Sequence, residues 1–274
     1  MTTPRGVRLS ATFEPAPREP AHLGPAAPHE GTSAAARGWT APSGTAVVFA
    51  HGFLADRSSR GRADVFAAAY RSLGLATMQF DFSGCGASDD DVVEVAREVE
   101  DLTAVCADVV ARGYPRLVVH GHSLGALVAL RTSVPAVELM VLTGAVTGPI
   151  LHPWDQVLSA VQLSELRDSG RTTVLDDGPS GRTDMVISRQ TLVDFSDVDQ
   201  PSLLGEVTCP VLMVHGGGLV DGEEHPLLTR SRVGLPFLPA GSALEVVSGA
   251  DHSLLDYTDS VVRRVTTWLA AHLT

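Results

Sequence analysis

Six short apolar runs with helical patterns between them leave this chain few architectures. The runs are TAVVFAHG (45–52), LATMQFDF (75–82), PRLVVHGHS (115–123), ELMVLTGA (138–145), CPVLMVHG (209–216) and ALEVVSGA (243–250). Each is nearly continuous in hydrophobicity, the pattern of a strand covered on both faces. Between them, Val95, Val99, Leu102, Cys106 and Val109 recur at helical spacing behind the acidic start Asp89-Asp90-Asp91. Gly113 and Pro115 end that helix. Val261, Val265, Trp268 and Leu269 predict a C-terminal amphipathic helix. Alternation of this kind predicts an α/β fold, a mostly parallel sheet with helices on both faces. A length of 274 residues suits one such domain with a small insertion.

Two segments break the rhythm. Residues 14–44, rich in Pro, Ala and Gly, read as a loop leading from an early strand, VRLSATF (7–13), into the sheet. Residues 149–208 are too long for a plain crossover. They hold a helical stretch near Trp154–Leu166 and a hairpin pattern around Asp177-Gly178-Pro179-Ser180-Gly181. The expectation is a core of 1–148 and 209–274 with a small helix-plus-hairpin cap at 149–208.

Composition excludes several classes. A net charge of −12 argues against a nucleic-acid partner, whose phosphates would repel the chain. All 20 basic residues are Arg. The three cysteines, Cys85, Cys106 and Cys209, are odd in number and lack metal-ligand spacing, so buried free thiols are expected. MTTPRGVRLSATFEP has no apolar core of the kind a signal peptide needs, and no run approaches a membrane span. The expected setting is cytoplasmic, away from membranes.

Within VVHGHSLGALVAL (118–130), Gly121-His122-Ser123-Leu124-Gly125 forms G-x-S-x-G between a strand and a helix. That context suits a nucleophilic serine on a sharp turn, with glycines letting strand and helix pass closely. The alternative is a glycine-flanked helix N-cap. A serine nucleophile needs a base to take its proton. The chain order for this architecture is serine, acid, histidine. His252, in GADHS just past the last run, is the candidate base, whereas His51, His120, His122 and His215 read as structural hydrogen-bonding groups.

Oxyanion donors are expected from the N–H after the nucleophile, Leu124, and from the turn after an earlier strand, where His51-Gly52-Phe53 makes Phe53 the second donor. HGGGLVDGEEHP (215–226) admits three readings: an oxyanion turn, the carrier of a triad acid, or a metal site. It follows the nucleophile, which removes the first reading, and it lacks recognised ligand spacing, which weakens the third. As an acid carrier it offers Asp221, with Glu223 and Glu224 as alternatives. Asp221 is preferred because it comes first after the strand turn and has a short side chain.

Taken together, His51-Gly52-Phe53, FDFSGCGASD (80–89), GHSLGA (121–126), CPVLMVHG (209–216) and GADHS (249–253) resemble the α/β-hydrolases. The similarity is to small-cap serine esterases of the cinnamoyl/feruloyl-esterase and serine-aminopeptidase-like type. That resemblance implies an eight-stranded sheet, no cofactor and no metal, and a cap at 149–208 with Trp154 and apolar neighbours lining the acyl or alcohol pocket. Two departures stand out. Ala126 replaces a usual second glycine, and Leu219 occupies the acid position of the usual H-G-x-x-D pattern.

The expected function is hydrolysis of a small or medium-sized carboxylic ester through an acyl-enzyme. Ser123 is the nucleophile, His252 the base and Asp221 its orienting acid. An acyltransferase or thioesterase would use the same residues. A non-catalytic ligand-binding homologue is the alternative from another class.

Overall fold

The computed structural model describes residues 1–17, 39–176 and 181–274. The turn expected at 177–180 and the loop histidines His22 and His29 lie outside these residues.

The first strand is Ala11–Glu14 (β1), and Thr45–Ala50 (β2) opens the parallel part of the sheet. Arg62–Ser72 forms α1, Ala76–Phe80 forms β3, and Val92–Val93 forms a two-residue strand, β4. Val95–Ala111 (α2), Arg116–His122 (β5), Leu124–Arg131 (α3) and Val137–Thr143 (β6) follow. The 149–208 segment contributes Trp154–Val157 (α4), Ala160–Asp168 (α5), Arg171–Leu175 (β7), Asp184–Ser188 (β8), Arg189–Ser196 (α6) and Gln200–Gly205 (α7). The chain returns through Val211–Gly216 (β9), a hairpin of Leu219–Val220 (β10) and Glu223–Glu224 (β11), and Pro226–Gly234 (α8). Ala243–Val247 (β12) and Thr258–His272 (α9) complete it.

The main sheet has the order β1-β3-β2-β5-β6-β9-β12, with β1 antiparallel to β3 and every other pairing parallel. It has seven strands among the described residues where eight were expected. The early run at 7–13 contributes β1, and ahead of it Gly6, at φ 83°, turns the chain so that Thr2 and Arg8 meet in a single bridge.

The near-continuous apolar runs are accounted for by two-sided burial. In β2, Ala46, Val48 and Ala50 pack into one core with Leu102 and Val105 of α2 and Leu127 of α3. Val47 and Phe49 point the other way, into a second core with Phe66 and Tyr70 of α1 and Val265 and Trp268 of α9. Alternate residues of a strand face opposite sides, so a strand buried on both is mostly apolar. The three cysteines are free and buried, and burial pushes the Cys106 thiol up to about 12.

The 149–208 segment is tied to the rest by contacts that local pattern did not reveal. β7 and β8 form the expected hairpin, but β8 also pairs in parallel with β4, Val92 opposite Val186. Helix α2 has no cap from its own N-cap residue, Glu94. Asp194 of α6 supplies one instead, its carboxylate accepting from the Val95 N–H at 2.8 Å. Inside the segment, Ser159 and Ser188 start α5 and α6 with reciprocal capping boxes. No helix of the described residues is long and apolar enough to cross a membrane.

Candidate active site

Ser123 stands between β5 and α3 at φ 52° and ψ −115°, a backbone conformation that L-residues rarely adopt. Its surroundings hold it there. The Ser123 N–H donates to Thr143 O at 2.9 Å, and Ser123 O accepts from Val146 N–H at 3.3 Å, so the elbow is anchored to the end of β6. The two motif glycines are demanded by contact. A Cβ on Gly121 would lie 2.8 Å from the Ala126 Cα, and one on Gly125 would lie 2.2 Å from Ala50 O.

His252 follows β12, and its Nε2 lies 3.1 Å from Ser123 Oγ. The glycines of 215–218 help bring it there. Cβ atoms at Gly216 and Gly218 would come within 2.1 Å of Asp251 O and 2.8 Å of Ala250 O. The N–H groups of Gly217 and Gly218 donate to Val247 O and Ala250 O at 2.8 and 2.7 Å. That glycine run seats the backbone carrying His252 against the end of β9. Gly144, at the end of β6, clears space for the ring itself, since a Cβ there would be 2.9 Å from His252 Nδ1.

The expected acid is not brought to this histidine. Asp221, at φ 53°, and Gly222, at φ 82°, are the two central residues of the β10–β11 hairpin. Positive φ at both positions is what a type I′ turn requires, and Asp-Gly is a preferred pair for it. Asp221 is therefore an exposed turn residue. Glu223 is exposed on the same hairpin, and Glu224 pairs with Arg232 at 3.0 Å. Among the described residues no hydrogen bond reaches His252 Nδ1. The carboxylate that most favours a protonated His252 is its neighbour Asp251, whose Oδ1 is occupied by Ser253 Oγ and Leu254 N–H.

A second imidazole lies against His252. The His225 ring stacks on His252 at 5.3 Å between centroids and 8° between planes. It is held by capping α8: its Nδ1 accepts from the Leu227 N–H at 3.2 Å, which puts the proton of the neutral ring on Nε2. Burial, then His225 and Arg62, push His252 down to about 4. The ring is thus neutral, and able to accept a proton, across the neutral pH range. In the sequence His225 enters only through the metal-site reading of 215–226; in the structure Pro226 after it takes the first helical position.

Phe53 and Leu124 N–H groups make no hydrogen bond among the described residues. The turn carrying Phe53 lies against Ser123, since a Cβ on Gly52 would be 3.4 Å from Ser123 Cβ. His51 fixes that turn, its Nδ1–H donating to Gly52 O at 2.9 Å while Nε2 accepts from Phe82 N–H at 3.0 Å. His120 meets the Tyr70 hydroxyl, His122 meets Thr143 and His215 meets Ser231, each at 2.9–3.1 Å. The FDFSGCGAS loop is equally constrained, because a Cβ on Gly86 would be 2.3 Å from the Asp81 carboxyl carbon.

Gly52, Phe53, Ser123 and His252 share a cleft of about 290 Å³ with Leu54, Arg62 and Leu255. Trp154 is not among its lining residues. It packs on the Phe53 ring at 6.3 Å and on Phe195 at 5.5 Å, and so reaches the site through Phe53. Among the described residues no three His, Cys, Asp or Glu side chains converge as a metal-binding group.

Solved structures with this fold include three hydrolases. The alpha/beta hydrolase GrgF from Penicillium sp. sh18 matches with a TM-score of 0.70 at 16% identity, covering 100% of this chain and 97% of that one. Est1E from Butyrivibrio proteoclasticus, solved with ferulic acid bound, matches at 0.68 and 16% identity, covering 97% and 96%. The esterase domain of a Rhodothermus marinus protein matches at 0.63 and 20% identity, covering 100% and 97%. No curated protein matches the sequence. The model of the alpha/beta hydrolase family matches residues 47–264, most of the chain and every segment of the site described above, and the chain belongs to that family.

Proposed function

We propose that the protein is a serine hydrolase that cleaves a small or medium-sized carboxylic ester through an acyl-enzyme. The observation carrying this reading is the 3.1 Å contact between Ser123 Oγ and His252 Nε2 in a cleft bordered by the unengaged Phe53 N–H. Ser123 Oγ attacks the ester carbonyl carbon as its proton passes to His252 Nε2. The oxyanion that forms is met by the Phe53 and Leu124 N–H groups, each contributing about 3–4 kcal/mol at the transition state. His252 then protonates the departing alkoxide, leaving the acyl group on Ser123. Water attacks that acyl group, gives its proton to His252, and the proton returns to Ser123 Oγ. The 149–208 segment is read as a cap, acting on the cleft through Trp154 and Phe195 behind Phe53.

Hydrolysis of p-nitrophenyl esters from acetate to decanoate, with an aromatic acyl ester included, tests the reading. Turnover with an acyl-length optimum supports it. Release of p-nitrophenol only when an alcohol or amine acceptor is added replaces it with acyl transfer.

In this mechanism only the neutral His252 ring takes the serine proton. Activity is therefore expected to persist as pH falls from 8 and to fail only near pH 4, where His252 protonates, well below the ordinary imidazole value of about 6.5. Rates measured from pH 4 to 8, each followed by return to pH 7 to confirm reversibility, check this. His225→Leu should move the acid limb upward, since a positively polarised neighbour is removed. It should also lower kcat, because the stacked support of the ring is lost. An unmoved limb would exclude His225 from this role.

Alanine at Asp221, Glu223 or Glu224 is expected to change kcat/KM by no more than about twofold, because surface carboxylates this far from the reacting atoms contribute little. A fall of roughly 10⁴-fold in any one would identify a triad acid that moves to His252 during turnover.

A further inference from the structure

Arg62, in the first turn of α1, is 8% exposed, and no other arginine among the described residues is as deeply buried. Other arginines drawn into the structure have carboxylates: Arg5 has Asp91, Glu100 and Asp101, and Arg57 has Asp81. Arg62 has none within ion-pair distance among the described residues. Its one side-chain hydrogen bond among the described residues is to the carbonyl oxygen of Ser253, next to His252. A guanidinium carries five N–H donors, so this leaves most of its donors unused. Asp251 is the carboxylate with the strongest influence on it, but the Asp251 Oδ1 is already engaged by Ser253 and Leu254. Burial pulls Arg62 down to about 10, against the opposing influence of Asp251, which lies outside ion-pair distance.

An unpaired buried cation costs several kcal/mol, so a folded chain that keeps one has a use for it. The place is telling, because Arg62 lines the same cleft as Ser123 and His252. Arg60 stands exposed on the cleft wall and also makes no ion pair among the described residues. Asp56 and Asp176 line the cleft too, and the Asp56 Oδ1 accepts from the Ser58 and Ser59 N–H groups at 2.9 Å and holds the 56–61 loop. One buried guanidinium balances one negative charge, and its planar fork matches a carboxylate. The volume, about 290 Å³, is near the small end for ligand clefts, which suits a short substrate.

We propose that the substrate is a short ester that itself carries a carboxylate, a hemi-ester of a dicarboxylic acid being the simplest form, and that Arg62 binds that carboxylate. The proposal rests on the serine-hydrolase reading for turnover, but its binding half stands apart from it.

The test uses monomethyl succinate, glutarate and adipate, each against the neutral primary amide of the same length. Calorimetric binding is measured on Ser123→Ala, and kcat/KM on the enzyme with serine in place. At least one hemi-ester should exceed its amide by about tenfold or more, the worth of a charge-assisted hydrogen bond. Arg62→Gln, made in both backgrounds, should bring that ratio to within about twofold, and Arg62→Lys should restore part of it. The ratio is the readout because Arg62 also supports the loop carrying His252, and a general loss of activity cancels in it. Ratios near one at all three lengths overturn the proposal, as does a preference that survives Arg62→Gln. If hemi-esters bind selectively yet no ester is ever hydrolysed, the hydrolase reading fails and the carboxylate site stands. If neutral esters are hydrolysed with no charge preference, the reverse holds.

Discussion

Ser123→Ala is expected to bring ester hydrolysis to background, a fall of roughly 10⁴-fold or more, with little change in thermal stability. The alanine keeps the Cβ and the strained turn, so the anchors from Thr143 and Val146 to the elbow backbone persist. What disappears is the only hydroxyl oxygen bonded to His252 among the described residues, and with it the proposed covalent route. The Phe53 and Leu124 N–H groups would still polarise a bound carbonyl, which sets the residual rate. Turnover is followed with the best p-nitrophenyl ester, and mass spectrometry after an activated phosphonate inhibitor shows whether Ser123 carries the adduct. Retained turnover, or an adduct elsewhere, would remove Ser123 from the mechanism.

Gly125→Ala is expected to have a large effect on the fold. The new Cβ would lie 2.2 Å from Ala50 O and 2.3 Å from His51 O, both backbone atoms at the end of β2 with no rotamer to escape into. Either α3 lifts from the sheet or β2 shifts, and both movements separate Leu124 from Phe53. Overpacking of this kind costs about 3 kcal/mol or more, a large share of a typical stability of about 5–15 kcal/mol. For a chain of this size the melting temperature should fall by roughly 10 °C. Esterase activity should fall further than the folded fraction does, because the oxyanion donors are the atoms displaced. Gly205→Ala is the control: nothing lies within 4 Å of its added Cβ, and the residue ends a helix. Its melting temperature should stay within a few degrees or rise slightly. Equal effects of the two substitutions would show that the close approach of α3 to β2 is not what Gly125 provides.

Much of the architecture is readable in the sequence because it rests on short-range regularities. A strand buried on both faces holds a polar residue only where it finds a partner, as Gln79 of β3 does in Asp64 and His120 of β5 in Tyr70, so β2, β3, β5, β6 and β9 appear as mostly apolar runs. Gly121 and Gly125 are legible for a similar reason, since strand and helix can touch that closely only where there is no Cβ. Asp221 shows where such reasoning stops. Chain order pointed to an acid after β9, but Asp-Gly is also a local turn signal, and the turn is what formed. A two-residue loop selects its residues by φ within one peptide unit, whereas a triad acid is selected by a partner elsewhere in the chain.

The sequence by itself therefore determined the six main strands from the apolar runs, which glycines close the elbow, and which serine and histidine are candidates. Only the tertiary structure decided that Ser123 and His252, 129 positions apart, come to 3.1 Å, and that His225 stacks on that histidine instead of a carboxylate bonding to it. It also decided that β4 joins β8, that Asp194 caps α2, and that Arg62 is buried without a counter-ion. These features share one physical cause. Each depends on the distance between groups far apart in the chain, and that distance is set by how the sheet and its helices pack rather than by any local preference of the residues involved.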